Sequence, residues 1–193
     1  MRLLFFLSGA FIPLSGRFAG WKGAFLAFIA RIFLTAILSQ FSFLVLLVYH
    51  LPTLFASLFF TFKTQCRLQQ CFVWGVISCC AVLFWEHPLG SQAGLYALLW
   101  AIPLIMQYNP NPFSRALTST FIAHAVGSVI WLYVGLGPST ASSWLALIPL
   151  AIIERFFLAG IMAFGILSIE KAQYYLQQKQ RRYFALMHTV QNL

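Results

Sequence analysis

A chain of 193 residues that is 61% apolar and only 8% charged lacks the surface of a soluble domain, in which roughly a quarter of residues are charged. Its formal net charge of +9 comes from basic residues scattered between apolar runs, which excludes the basic stripe of a nucleic-acid-binding protein. The composition predicts an all-α, polytopic integral membrane protein, a single domain over 1–193 with about six transmembrane helices in one bundle.

The first residues are similar to a secretory signal, because Arg2 precedes a short apolar run and small residues. Cleavage would leave a chain that begins near Arg17. We expect the segment to be retained, because Pro13 weakens the match and a polytopic protein needs no removable signal. Residues 1–16 are then an apolar lead-in, either interfacial or a partial span.

Six apolar segments are predicted to be spans; a spanning helix needs about 20 mostly apolar residues. They lie at residues 20–40, 43–62, 71–85, 92–108, 115–135 and 144–169. We place the break between the first two at Ser39–Ser42, with His50–Pro52 as the alternative. The turn Asn109–Pro112 precedes the fifth span, and residues 170–193 form a cytoplasmic tail that is polar and helical at 170–182.

Basic residues fall in alternate loops of this arrangement. Outside the spans, the basic positions after the second span are Lys63, Arg67 and Arg115, then Lys171, Lys179, Arg181 and Arg182 in the tail. The loops at 86–91 and 135–143 carry no Lys or Arg. By the positive-inside rule, both termini are cytoplasmic, and the chain is a multi-pass protein of the cell inner (plasma) membrane.

Several residues near span ends have predictable surface roles. Trp85, Tyr108 and Trp144 are expected at the membrane interface, where amphipathic rings concentrate. Arg115 follows a turn and is expected to be a cytoplasmic anchor. The four cysteines form no CxxC pair and have no accompanying His cluster, so we interpret them as apolar thiols and predict no metal site and no cofactor.

The fifth span carries one polar helical face. His124, Ser128 and Trp131 are three or four residues apart and therefore share a side, together with Thr120 and Gly127. One interpretation is a packing seam, in which the histidine bonds a backbone carbonyl or Ser128. The other is a ligand-facing stripe that offers an imidazole, a hydroxyl and a ring for stacking.

The sixth span carries Glu154 and Arg155. Charged side chains at membrane depth cost a few kcal/mol and are usually paired, cavity-lining or functional. Neighbouring residues point about 100° apart on a helix, so we expect separate partners: His124 for Glu154, and a ligand carboxylate or phosphate for Arg155. The predicted substrate-binding residues are His124, Ser128, Trp131, Glu154 and Arg155.

The first span begins with a small-residue face. Gly16-x-x-x-Gly20 and the following Gly23, Ala24 and Ala27 have the spacing that lets membrane helices touch closely. This face is the predicted docking surface for a partner membrane subunit, and internal packing is the commoner use of such a pattern. The sequence contains no nucleotide-binding GxxxxGK[ST] motif and no hydrolase signature, so we predict neither a built-in ATPase nor an enzyme.

In size, six-span basic layout and small-residue N-terminal face, the chain resembles the substrate-binding S components of energy-coupling factor (ECF) vitamin transporters. The segments STFIAHAVGSVIWLY and IPLAIIERFFLAGIM are also similar to such proteins. The resemblance implies high-affinity binding of a vitamin or related small nutrient from the outer side. It also implies docking onto a transmembrane coupling subunit that two ATPase subunits drive.

Two other classes of function stay open at the level of sequence. The first is a structural or assembly protein of the inner membrane, in which the polar residues only join helices. The second is a small membrane-embedded enzyme of lipid metabolism, with His124 and Glu154 as acid and base. The expected partners are a small-molecule nutrient, membrane lipid and the coupling and ATPase subunits, with no nucleic acid.

Overall fold

The computed structural model describes residues 12–38 and 43–191, and over these ranges it contains helices and no strands. A 3₁₀ helix lies at Gly94–Trp100. The α-helices are α1 (Leu14–Leu38), α2 (Phe43–Thr61), α3 (Arg67–Glu86), α4 (Pro88–Gln92), α5 (Ala101–Met106), α6 (Pro112–Val134), α7 (Ala141–Ala146) and α8 (Ile148–Gln191). The predicted all-α class of an apolar helical bundle is confirmed.

Within the described ranges, four helical segments are long and apolar enough to cross a membrane. They are Leu14–Ile37, Arg67–Glu86, Pro112–Val134 and Ala141–Arg181. Two further apolar segments, Val45–Thr61 and Gly94–Met106, are shorter. Six apolar segments thus follow one another in the predicted order, and the number of passes and their orientation stay predictions.

The first two predicted spans correspond to separate helices. The predicted break at Ser39–Ser42 lies outside the described residues, but α1 ends at Leu38 and α2 begins at Phe43 on either side of it. The alternative break at His50–Pro52 is wrong, because Pro52 lies inside α2. Neighbouring helices in a membrane bundle allow such a proline without ending the helix.

Helix α1 begins six residues before the predicted start of the first span. Gly20 interrupts it with φ +62° and ψ −158°, a backbone conformation that is open essentially to glycine alone. The predicted span start coincides with this kink. The turn of α1 before the kink packs against α2, and its Ser15 hydroxyl donates to the Ile12 carbonyl at 2.7 Å.

Helix α6 is the centre of the bundle and packs against α2, α3, α5 and α8. The sequence defines both of its ends. The Asn111 side chain accepts from the Ser114 N–H at 2.6 Å, and Pro112 occupies the first turn, where its missing N–H is harmless. Gly135 ends the helix in the left-handed conformation, with φ +73°.

The fourth predicted span is not one continuous helix. Helix α4, the 3₁₀ helix and α5 replace it. The tighter 3₁₀ winding aligns residues three apart, so Tyr96 and Leu99 both point into the core while Leu95 and Leu98 stay exposed. This segment therefore presents a tyrosine to the interior of the bundle.

The sixth predicted span is divided at Leu147 into the short α7 and the long α8. Pro149 lies in the first turn of α8, a position that tolerates proline. The 44 residues of α8 then continue without a break, so the predicted polar helix at 170–182 is confirmed.

Basic residues from distant parts of the chain meet at one end of the bundle, which we call the basic end. Arg17, Lys63 and Arg115 surround one cleft there, and Glu170 forms an ion pair with Arg17. The loops without Lys or Arg meet elsewhere, where a second cleft is lined by His87, Leu89 and residues 131–135 and 137–139. The side of the membrane on which each cleft lies stays a prediction. Arg115, which we expected to be a cytoplasmic anchor, is only 3% exposed.

Candidate functional site

A cavity of about 310 Å³ lies between α1, α2, α6, α8 and the 3₁₀ helix. All five predicted substrate-binding residues line it: His124, Ser128, Trp131, Glu154 and Arg155. Along α6 the lining extends from Ser119 to Trp131, which is about 18 Å at the rise of an α-helix. The cavity is therefore long and narrow, and it follows the axis of the central helix.

The polar face of α6 meets a tyrosine that the sequence analysis did not single out. The Tyr96 hydroxyl lies 2.9 Å from His124 Nε2 and 3.5 Å from Ser128 Oγ. A tyrosine hydroxyl can donate one hydrogen bond and accept others, so Tyr96 links both residues at the cavity wall. His124 therefore bonds the Tyr96 hydroxyl, and not the backbone carbonyl or the Glu154 carboxylate that we expected.

Glu154 and Arg155 form an ion pair with each other, which corrects the prediction of separate partners. Arg155 Nη2 lies 2.7 Å from Glu154 Oε2. The 100° between neighbouring positions describes the Cα–Cβ directions, and the long flexible stems of these two residues bridge that angle. The pair is only partly buried, and Arg155 Nε has no hydrogen-bond partner among the described residues.

Helices α1 and α2 form a second polar wall, which the sequence analysis did not identify. Arg31 Nη1 lies 3.5 Å from Thr53 Oγ1, and Arg31, Thr53 and His50 all line the cavity. His50 is 1% exposed, and its Nε2 lies 3.1 Å from Thr35 Oγ1. The only sequence signal for this wall was the presence of Arg31 and His50 beside long apolar runs.

Aromatic rings line the cavity beside the 3₁₀ helix. Trp144 was predicted at the membrane interface, but it is 1% exposed and lines the cavity. Its indole N–H donates to the Pro138 carbonyl at 3.0 Å, and its ring packs edge-on against Tyr96 with centroids 4.9 Å apart. Trp85 and Tyr108 are exposed, and their location at the membrane interface stays a prediction.

Within the small-residue face of α1, Gly16 and Ala24 pack inside the bundle. Gly16 is so close to α2 that an added Cβ would lie 2.0 Å from the Ser57 carbonyl oxygen. Ala24 is fully buried, whereas Gly20, Gly23 and Ala27 are half-buried. Docking of a partner on this face stays a prediction, since the structure contains no partner chain.

The described residues contain no group of three His, Cys, Asp or Glu side chains that could hold a metal ion. Comparison with protein-family models, curated proteins and solved structures found no match to this chain. The geometry of the cavity is therefore the basis for a functional assignment.

Proposed function

We propose that this protein binds a vitamin or related small nutrient within the membrane as the substrate-binding subunit of an ECF-type uptake system. The observation that carries the proposal is the convergence of polar groups from four elements on one cavity. Tyr96, His124, Arg31 and the Glu154–Arg155 pair come from the 3₁₀ helix, α6, α1 and α8. Their hydrogen-bonding groups face a shared space.

The size and chemistry of the cavity favour a small polar ligand. Small-molecule sites range from about 300 to 1,000 Å³, and the cavity is at the lower limit of this range. A lipid acyl chain would offer no partner to the polar groups of the lining, and unsatisfied buried polar groups are costly. A molecule with a flat ring and hydrogen-bonding edges would instead contact both the indoles and the polar walls.

Transport also requires partners and a source of energy. The proposal includes a transmembrane coupling subunit and two ATPase subunits, which the resemblance implies and which the chain needs because it has no nucleotide-binding motif of its own. Helix α1 is at the edge of the bundle and packs mainly on α2, so its outer surface is accessible to another membrane protein.

Titration calorimetry of the detergent-purified protein against a panel of vitamins tests the proposal. We expect one member to bind at submicromolar concentration. The change Tyr96→Phe removes the hydroxyl that joins His124 and Ser128, and we expect it to weaken binding about 5- to 10-fold, the usual effect of losing one hydrogen bond.

The matched control is Tyr133→Phe. The Tyr133 hydroxyl donates to the Leu83 carbonyl at 2.9 Å and does not line the cavity, so its loss is expected to leave affinity unchanged. If the folded wild-type protein bound no member of the panel at micromolar concentration, and both variants were equally folded, the result would contradict the proposal. It would favour a structural role for the polar residues.

A further inference from the structure

A second polar site lies at the basic end of the bundle, apart from the central cavity. Its cleft has a volume of about 490 Å³ and lies between the first turn of α1, the end of α2, the start of α6 and the middle of α8. Arg17, Lys63 and Arg115 line it, together with Glu170 as the one acidic residue among the described lining. The cleft thus carries an excess of positive charge.

Arg115 contributes a buried guanidinium, and among the described residues no carboxylate forms an ion pair with it. Its charged carbon lies 5.8 Å from the ring centre of Phe59 and 5.7 Å from that of Phe60, and its Nη2 donates to the Phe62 carbonyl at 3.3 Å. Its Nε has no acceptor among the described residues. Glu170 forms its ion pair with Arg17, so its carboxylate is not in an ion pair with Arg115.

The chemistry and the position of the cleft indicate its ligand. Guanidinium groups and lysine bind phosphate oxygens through charge-assisted hydrogen bonds. The cleft lies beside the start of α1, the end of α2 and the start of α6, where these apolar helices adjoin polar residues. Basic pockets between transmembrane helices on the cytoplasmic side bind anionic headgroups.

We propose that this cleft binds a phosphate-bearing anion, supplied by an anionic phospholipid headgroup or by free phosphate. Arg17, Lys63 and Arg115 hold the phosphate oxygens, and Glu170 weakens the binding by its negative charge. The site is distinct from the central cavity, because the two share no lining residue.

The experiment uses the full chain in detergent with equal amounts of short-chain phosphatidylglycerol and phosphatidylcholine, and native mass spectrometry counts the lipids retained. We expect the wild type to retain phosphatidylglycerol preferentially. Lys63→Gln, at an exposed loop position, should reduce this retention about fivefold, the typical effect of one basic residue near a charged headgroup. Lys179→Gln removes the same charge outside the cleft and should change nothing.

The change Glu170→Gln gives the opposite sign. It removes the negative charge of the cleft and should raise the retention of phosphatidylglycerol, an increase that general destabilisation would not produce.

In a second arm, millimolar inorganic phosphate is added to lipid-free protein. If phosphate stabilises the wild type against heat and Lys63→Gln abolishes that effect, free phosphate is the source. If phosphate does not stabilise the protein but phosphatidylglycerol is still preferred, the lipid headgroup is the source. Equal retention of both lipids together with no effect of phosphate would overturn the proposal.

Discussion

Replacement of Trp144 by alanine is expected to destabilise the protein by about 3–5 kcal/mol, the usual cost of removing a large buried aromatic side chain. Trp144 packs edge-on against Phe84 and Tyr96, with ring centres 5.6 Å and 4.9 Å away. It also holds the loop before α7 through its bond to the Pro138 carbonyl. Its loss would remove these contacts together and enlarge the cavity. Thermal unfolding in detergent, followed by intrinsic fluorescence, measures the effect.

The control for this change is Trp21→Ala. Trp21 is mostly exposed on α1, so its truncation in detergent should alter stability by no more than about 0.5 kcal/mol. Equally small effects of both changes would mean that Trp144 is an interface residue after all, as the sequence predicted. The same measurement therefore decides between the two locations of this indole.

The change Gly16→Ala is expected to cost about 1–3 kcal/mol, as overpacking of a tight contact usually does. An added Cβ would lie 2.0 Å from the Ser57 carbonyl oxygen and 2.9 Å from its carbon, so α1 and α2 would have to move apart. Because the obstacle is backbone, no side-chain rotation relieves it. A lower unfolding temperature in detergent is the expected result.

Gly160→Ala is the matched control, because its added Cβ would meet nothing within 4 Å. Alanine favours a helix interior over glycine by up to about 1 kcal/mol, so this change in α8 should be neutral or stabilising. If Gly16→Ala instead left stability intact and impaired assembly with a partner, the small-residue face of α1 would be an external docking surface.

Hydropathy was sufficient to predict the helical class and the order of the apolar segments. The Asn-Pro turn and Gly135 also marked the ends of α6 correctly, because capping is a local property of a few residues. The division of the fourth segment into α4, a 3₁₀ helix and α5 was not predictable. Apolar composition alone does not distinguish these windings.

The contents of the candidate site were only partly accessible from sequence. The face of α6 that carries His124 and Ser128 followed from helical periodicity, and it does line the cavity. Tyr96 and His50 lie on other helices, and no sequence pattern states which helices pack together. The Glu154–Arg155 pair was missed because helical geometry fixes where side chains start and leaves the reach of long ones free.

The unbroken course of α8 connects the cavity to the far end of the chain. Arg155 lies near the start of this helix and Gln191 at its end, about 54 Å away along the axis. A tilt of about 5° at the cavity would swing the distal end by about 5 Å over that length. A small tilt of α8 at the ion pair would therefore produce a larger displacement of its distal end, which spin labels placed outside the apolar bundle can measure.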